Sequence, residues 1–252
     1  MLIDTKELLK PPVGRAAYSD RTAWLMAEMS RLAYLKFEGP AAVRESLVED
    51  LAKLTDKTAI EAKLQEVEQL LLSSGDQRDA LESELREADF NLVKTFNSRD
   101  TQAILATREK PERVAILAFR GTDASFGDIK ADLNARFFSR GTQKIHNGFL
   151  KAFQVVESRI RSALRDLPDH KLYITGHSLE GALAIVAAHE INSDAIAACY
   201  TFGGPRVGNL EFGESIKAPI YRLVNAADLV PRLPPTWIIE SVIFAGKLVP
   251  IP

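Results

Sequence analysis

The chain has 252 residues, of which 46% are hydrophobic and 26% charged, and its formal net charge at pH 7 is -2. A chain of this length and composition can bury one sizeable core, and no linker rich in proline, glycine and serine divides it, so we expect a single domain over residues 1–252. The near-neutral charge gives no sign of a nucleic-acid-binding surface. No apolar run reaches transmembrane length.

The first residues bear on the compartment of the protein. Residues 1–14 lack the apolar stretch of a secretory signal peptide. We therefore expect a cytoplasmic protein by default, although a mature secreted form would show the same features.

The first strong helical pattern runs over residues 20–37. Asp20 is the candidate N-cap, and Leu25, Met29 and Leu32 follow it at helical spacing. This pattern predicts an amphipathic helix with one buried face.

Residues 41–90 have a different character. They contain no proline, six Lys or Arg and thirteen Asp or Glu, and their leucines recur every three or four positions. This spacing predicts two or three amphipathic helices that pack as a hairpin inserted into the domain. Two interpretations stay open: a structural insert with a solvated acidic face, or a lid or partner surface.

From residue 91 onward, short apolar runs alternate with helical patterns. Strands are predicted over 101–109, 112–121, 171–177, 195–204 and 219–225, and helices over 149–164 and 179–191. Alternating β and α elements favour the α/β class, with a mostly parallel central sheet covered by helices on both faces.

The segment over residues 171–191 carries the chemistry. It reads as an apolar strand, the tripeptide GHS and an apolar helix. A sharp turn at this junction would lift the hydroxyl of Ser178 above the sheet edge and leave the first N–H groups of the helix free to face an oxyanion. Ser178 is therefore the candidate nucleophile.

Several motifs together resemble the class 3 lipases, the fungal-lipase-like branch of the α/β-hydrolases. In chain order they are MAEMSRLAY, LAFRGTD, HNGFLKAF, ITGHSL, TFGGPRVGN and YRLVNAADLVPRLP. The resemblance implies an α/β-hydrolase fold and cleavage of lipid esters such as acylglycerols through an acyl-enzyme. It implies a lipid or small ester substrate, met in some cases at a lipid–water interface, and no metal or organic cofactor.

The resemblance also assigns roles to individual residues. Ser178 is expected to be the nucleophile, and Asp228 the acid that orients the catalytic histidine. The backbone N–H groups of Thr122 and Leu179 are expected to form the oxyanion hole.

Other positions match supporting elements of the family. Phe126, Ile129 and Leu133 lie where fungal lipases carry their lid helix, and ordinary core packing is an equal alternative for these three residues. His146 and His177 match positions that support the site.

The chain departs from the family after Asp228. The family carries a catalytic histidine some tens of residues after this acid, whereas none of residues 229–252 is a histidine. We expect either a sequence cut short before that histidine or its loss. Truncation is favoured because Ser178, Asp228 and the surrounding loops are all kept.

Glu180 is the second departure, since the family reads GHSLGG and this chain reads GHSLEG. A negative charge here suits the helix N-terminus but opposes an oxyanion. Weak activity is therefore expected. The alternative is a catalytically inactive hydrolase-fold protein that binds lipid or a protein partner.

Overall fold

A computed structural model describes residues 17–35, 56–73, 77–98, 101–120, 137–226, 228, 230–234, 241–244 and 247–250. Its helices are α1 (Asp20–Leu32), α2 (Lys57–Ser73), α3 (Arg78–Glu87), α4 (Asn147–Arg165), α5 (Leu179–Ile191), α6 (Leu210–Glu214) and a 3-10 turn at Val230–Arg232. Its strands are β1 (Asn91–Ser98), β2 (Thr101–Arg108), β3 (Val114–Arg120), β4 (Phe137–Arg140), β5 (Gln143–His146), β6 (Lys171–His177), β7 (Ile196–Phe202), β8 (Ile220–Leu223), β9 (Ser241–Phe244) and β10 (Lys247–Pro250).

Six strands form one sheet in the order β1-β2-β3-β6-β7-β8. Strands β3, β6, β7 and β8 run parallel, which confirms the predicted α/β fold. Strands β1 and β2 are antiparallel to their neighbours, because the connections after them are too short for a crossover helix. The pairs β4–β5 and β9–β10 form separate hairpins.

Helices cover both faces of the sheet, as predicted. Helices α4 and α5 pack on one face, where Leu117 and Ile174 of the sheet belong to their apolar cluster. Helices α1 and α3 pack on the other face, with Ile116 and Tyr173 from the same two strands. Neighbouring residues of β3 and β6 therefore serve opposite cores, which is why these strands read as continuous apolar runs.

The N-cap of helix α1 lies one residue before the position predicted from the sequence. Ser19 is the N-cap, and its hydroxyl accepts a hydrogen bond from the Thr22 N–H at 3.4 Å. The prediction that Asp20 caps the helix is wrong, since Asp20 is the first helical residue and places its carboxylate in the first turn.

Helices α2 and α3 both lie within the proposed insert at 41–90. Helix α3 belongs to the core, because Leu81 and Leu85 are fully buried beneath α1 and the sheet. Leu64 of α2 is 46% exposed. Residues 36–55 lie outside the described part of the chain, so the hairpin and its boundaries stay a prediction. Among the described helices, none combines the length and apolarity needed to span a bilayer.

Candidate active site

Ser178 occupies a strained turn between β6 and α5. Its backbone has φ 57° and ψ -127°, a conformation that a residue with a side chain rarely adopts. Two hydrogen bonds hold the turn: the Ser178 N–H donates to Phe202 O at 2.8 Å, and the Gly181 N–H donates to Ser178 O at 3.0 Å. Strain of this kind persists only where the surrounding structure enforces it, and it concentrates at functional sites.

Three glycines let the backbone close around this turn. A Cβ on Gly176 would overlap the carbonyl oxygen of Glu180. A Cβ on Gly181 would lie 3.2 Å from both Gly176 O and Gly204 Cα. Strand β6, helix α5 and the loop after β7 therefore meet backbone to backbone, which fixes the direction of the first N–H groups of α5.

The two expected oxyanion donors differ in what the structure describes. Leu179 is the first residue of α5, so its N–H belongs to the unsatisfied set at a helix N-terminus. Thr122 and the lid candidates Phe126, Ile129 and Leu133 lie outside the described residues. Their assignments stay predictions.

Asp228 stands on the loop after β8. Its N–H donates to Asn225 O at 3.0 Å, and its Oδ1 accepts from the Val230 N–H at 2.9 Å. Its Oδ2 faces Gly203, 3.0 Å from where a Cβ on that residue would stand. Gly203 follows Phe202, the residue that accepts the Ser178 N–H, so the structure brings Ser178 and Asp228 to adjacent loops at one edge of the sheet.

Two arginines fix this acid-bearing loop. Arg206 Nη1 donates to Arg232 O at 2.8 Å and to Pro234 O at 3.0 Å. Arg222 Nη2 donates to Gly204 O at 2.8 Å. These charge-assisted bonds tie the loop of Asp228 to the loop that packs on α5.

His177 lies beside the nucleophile and contacts Tyr34 in the turn after α1. Its Nδ1 is 3.3 Å from the hydroxyl of Tyr34, and its Nε2 lies 3.9 Å from the Cβ position of Gly203. The ring therefore lies on the same side of the site as Asp228.

The other histidines lie elsewhere. His146 is buried, with its ring centroid 4.5 Å from that of Phe149. His170 precedes β6 at the opposite end of the sheet. His189 stacks on Phe212 near the far end of α5. Of these residues, only His146 was expected to support the site; its ring packs among aromatic side chains, and the supporting role stays a prediction.

Glu180 points its carboxyl toward Tyr34, in the turn after α1, and is 5% exposed. The Tyr34 hydroxyl donates to its Oε2 at 3.3 Å. Burial raises the pKa of Glu180 to about 7. Glu180 is therefore only partly ionised near neutral pH, so its charge opposes an oxyanion only in part.

Tyr34 is the site residue that sequence reasoning missed. It ends the motif MAEMSRLAY, yet its periodicity says only that it lies at the end of a helix. Its place in the motif was the one available signal for a role at the site.

A cavity of about 350 Å³ opens beside the turn, between α1 and the sheet edge. Its lining residues are Ala27, Ser30, Arg31, Tyr34, His177 and Phe202. His177 and Phe202 flank the turn, whereas Ser178 is not among the residues that line this cavity. Within the described ranges, no three metal-binding side chains converge.

Comparison with known proteins places this geometry in context. Residues 116–237 match the family described as Lipase (class 3). A lipase of Rhizopus niveus is 32% identical over 180 residues, which are 64% of this chain and 45% of that protein. The secreted mono- and diacylglycerol lipase 1 of Fusarium solani is 38% identical over 122 residues, 45% of this chain and 35% of that protein.

Solved structures agree with these relatives. A triacylglycerol lipase described as having a serine protease triad superposes with a TM-score of 0.53 and 33% identity, over 59% of this chain and 62% of that one. A Rhizomucor miehei lipase in complex with its propeptide gives a TM-score of 0.53 and 31% identity, over 59% and 53%. The chain spans about half the length of the curated relatives it matches.

Proposed function

We propose that this chain, which matches the class 3 lipase family over residues 116–237 and resembles fungal lipases, is the core of a carboxylic ester hydrolase whose nucleophile is Ser178. One observation carries the proposal: Ser178 sits in a strained turn between a parallel strand and the N-terminus of a buried helix. This arrangement exposes a hydroxyl next to N–H groups that no helical carbonyl can use.

The proposed reaction has two steps. Ser178 Oγ attacks the ester carbonyl carbon, its proton passes to an imidazole oriented by Asp228, and the carbonyl electron pair moves onto the oxygen. The N–H groups of Leu179 and Thr122 stabilise that oxyanion. The carbonyl re-forms as the alcohol leaves with the proton. Water then attacks the acyl-enzyme by the same route and releases the acid and the free serine.

The proton acceptor sets the expected rate. The class 3 resemblance assigns this role to a histidine after Asp228, and residues 229–252 contain none. A serine without a nearby base retains only the acceleration supplied by the oxyanion hole and by binding. We therefore expect this chain to turn over slowly until a base is supplied.

The substrate class follows from the relatives and from the proposed lid. The Fusarium solani relative is named for mono- and diacylglycerols, and we propose acylglycerols or related lipid esters here. Phe126, Ile129 and Leu133 would form the apolar side of a lid over the acyl chain. That relative and one from Malassezia restricta are named as secreted. They favour the secreted form over the cytoplasmic default expected from the sequence.

The test is hydrolysis of p-nitrophenyl butyrate by this chain with and without added imidazole. Ser178→Ala is the blank, because imidazole itself cleaves this ester. We expect a slow Ser178-dependent release of p-nitrophenol that rises as imidazole supplies the proton acceptor. Equal rates for the chain and for Ser178→Ala at every imidazole concentration would contradict the proposal and favour a binding protein with a hydrolase fold.

A further inference from the structure

We propose that Glu180 is a positioning residue of the oxyanion site, held in place by Tyr34, and that its ionisation lowers the reactivity of Ser178. This inference rests on the proposed function. It assigns to the same site a control by proton binding.

The contact geometry provides the first argument. The single hydroxyl of Tyr34 lies 3.3 Å from Glu180 Oε2 and 3.3 Å from His177 Nδ1. These two partners flank Ser178 and Leu179, the proposed nucleophile and oxyanion donor. Tyr34, in the turn after α1, therefore contacts His177, 143 residues later in the chain, and fixes the residues on either side of the reacting groups.

The helix N-terminus provides the second argument. Glu180 is the second residue of α5, so its backbone N–H lies in the first turn of that helix. That N–H belongs to the same unsatisfied set as the N–H of Leu179. An ionised carboxylate here uses the positive end of the helix dipole that an oxyanion would otherwise use, and the two negative charges repel. When the carboxyl is neutral, the positive end of the helix dipole can stabilise the oxyanion.

The surroundings of Glu180 make this ionisation adjustable. The side chain is 5% exposed, and burial brings its pKa to about 7. The titratable groups that face it are Tyr34, from the turn after α1, and His177, from the end of β6. Arg31, one turn before Tyr34, pairs instead with glutamates of α1 and α3, and Asp228 faces Gly203.

The experiment measures the second-order rate constant with which a fluorophosphonate labels Ser178 between pH 5.5 and 8.5, with imidazole present at a fixed concentration as the proton acceptor. Each rate for Glu180→Gln is divided by that of the unchanged chain, so any pH dependence common to both cancels. We expect a ratio near one at pH 5.5 that rises to about tenfold at pH 8.5. Glu214→Gln removes an exposed charge at the end of α6 and should keep the ratio at one throughout.

Tyr34→Phe separates this control from simple space filling. Loss of the hydroxyl removes a hydrogen bond that favours the ionised carboxylate. The pH at which ionisation of Glu180 lowers the labelling rate should therefore move upward. A purely structural Tyr34 would change the rate without moving that pH. Urea unfolding checks that each variant is folded, and Glu180→Gly replaces Glu180→Gln if the glutamine variant is not.

The outcomes separate the two proposals. Labelling of Ser178 in all variants with a ratio that stays flat across the pH range would overturn this inference and leave the proposed function standing. The absence of labelling at every pH in every variant would overturn the proposed function, and this inference with it.

Discussion

Gly176 and Glu180 meet so closely that a Cβ on the glycine would overlap the carbonyl oxygen of the glutamate. Strand β6 and helix α5 therefore touch backbone to backbone at the turn that carries Ser178. Backbone cannot move aside as a flexible side chain can, so this contact fixes the angle between strand and helix.

Gly176→Ala tests that contact. We expect the free energy of unfolding to fall by about 1–3 kcal/mol, because the added methyl forces β6 and α5 apart. Urea denaturation measures the change. Gly213→Ala is the matched control, since nothing lies within 4 Å of its Cβ position, and it should stay within about 0.5 kcal/mol of the unchanged chain. Equal unfolding midpoints for both variants would contradict the close approach.

The parallel half of the fold was predictable because its strands are buried on both sides. Strands β3 and β6 are continuous apolar runs, and such runs between helical patterns indicate a parallel sheet. Strand β1 escaped prediction, since it is half-exposed and reads NLVKTFNS, with polar residues throughout. Its pairing depends on the short connection to β2, which sequence periodicity does not report.

Glu180→Gln should change how stability depends on pH. The carboxyl has an ordinary pKa of 4.5 and one of about 7 in the folded protein. The folded state therefore binds the proton more tightly. The resulting stabilisation is fully present below pH 4.5 and is lost as the pH rises to about 7, which amounts to about 3 kcal/mol.

Urea unfolding between pH 4 and 8 measures this loss. We expect the unchanged chain to lose stability relative to Glu180→Gln across that interval. Glu87→Gln, which alters an exposed carboxyl at the end of α3, should follow the unchanged chain. Parallel pH curves for the unchanged chain and Glu180→Gln would show that Glu180 does not bind a proton in this range.

Leu85→Ala tests whether α3 belongs to the core. Leu85 is fully buried and Leu64 of α2 is 46% exposed. We expect Leu85→Ala to lower the free energy of unfolding by about 2–5 kcal/mol, and Leu64→Ala to change it by less than about 0.5 kcal/mol. Thermal or urea unfolding decides. Similar small effects for both would mean that the whole 41–90 segment is an appended hairpin.

The site itself was only partly predictable. The turn at Ser178 follows from a local pattern of strand, GHS and helix, and Asp228 from a motif resemblance. The role of Tyr34 depends on how the end of α1 packs against a turn 143 residues away. No local sequence pattern indicates that long-range contact. The pKa of Glu180 likewise depends on burial, which the sequence around it does not reveal.

Asp228→Asn tests the acid. The amide Oδ1 can still accept the hydrogen bond from the Val230 N–H, so stability should change by less than about 0.5 kcal/mol. Loss of the charge should lower imidazole-supported ester hydrolysis by about tenfold or more, because the imidazolium is no longer stabilised. Asp194→Asn alters an exposed carboxylate paired with Lys217 and is the control. Unchanged hydrolysis in Asp228→Asn would remove Asp228 from the mechanism.

The most direct measurement is peptide mass spectrometry of the chain after incubation with a fluorophosphonate, with imidazole added as the proton acceptor. Attack by Ser178 Oγ on phosphorus expels fluoride and leaves a phosphonyl group on that residue. We predict this adduct on Ser178, with none on the corresponding peptide of Ser178→Ala. A chain that stays unmodified, or an adduct that forms equally in Ser178→Ala, would contradict the assignment of Ser178 as the nucleophile.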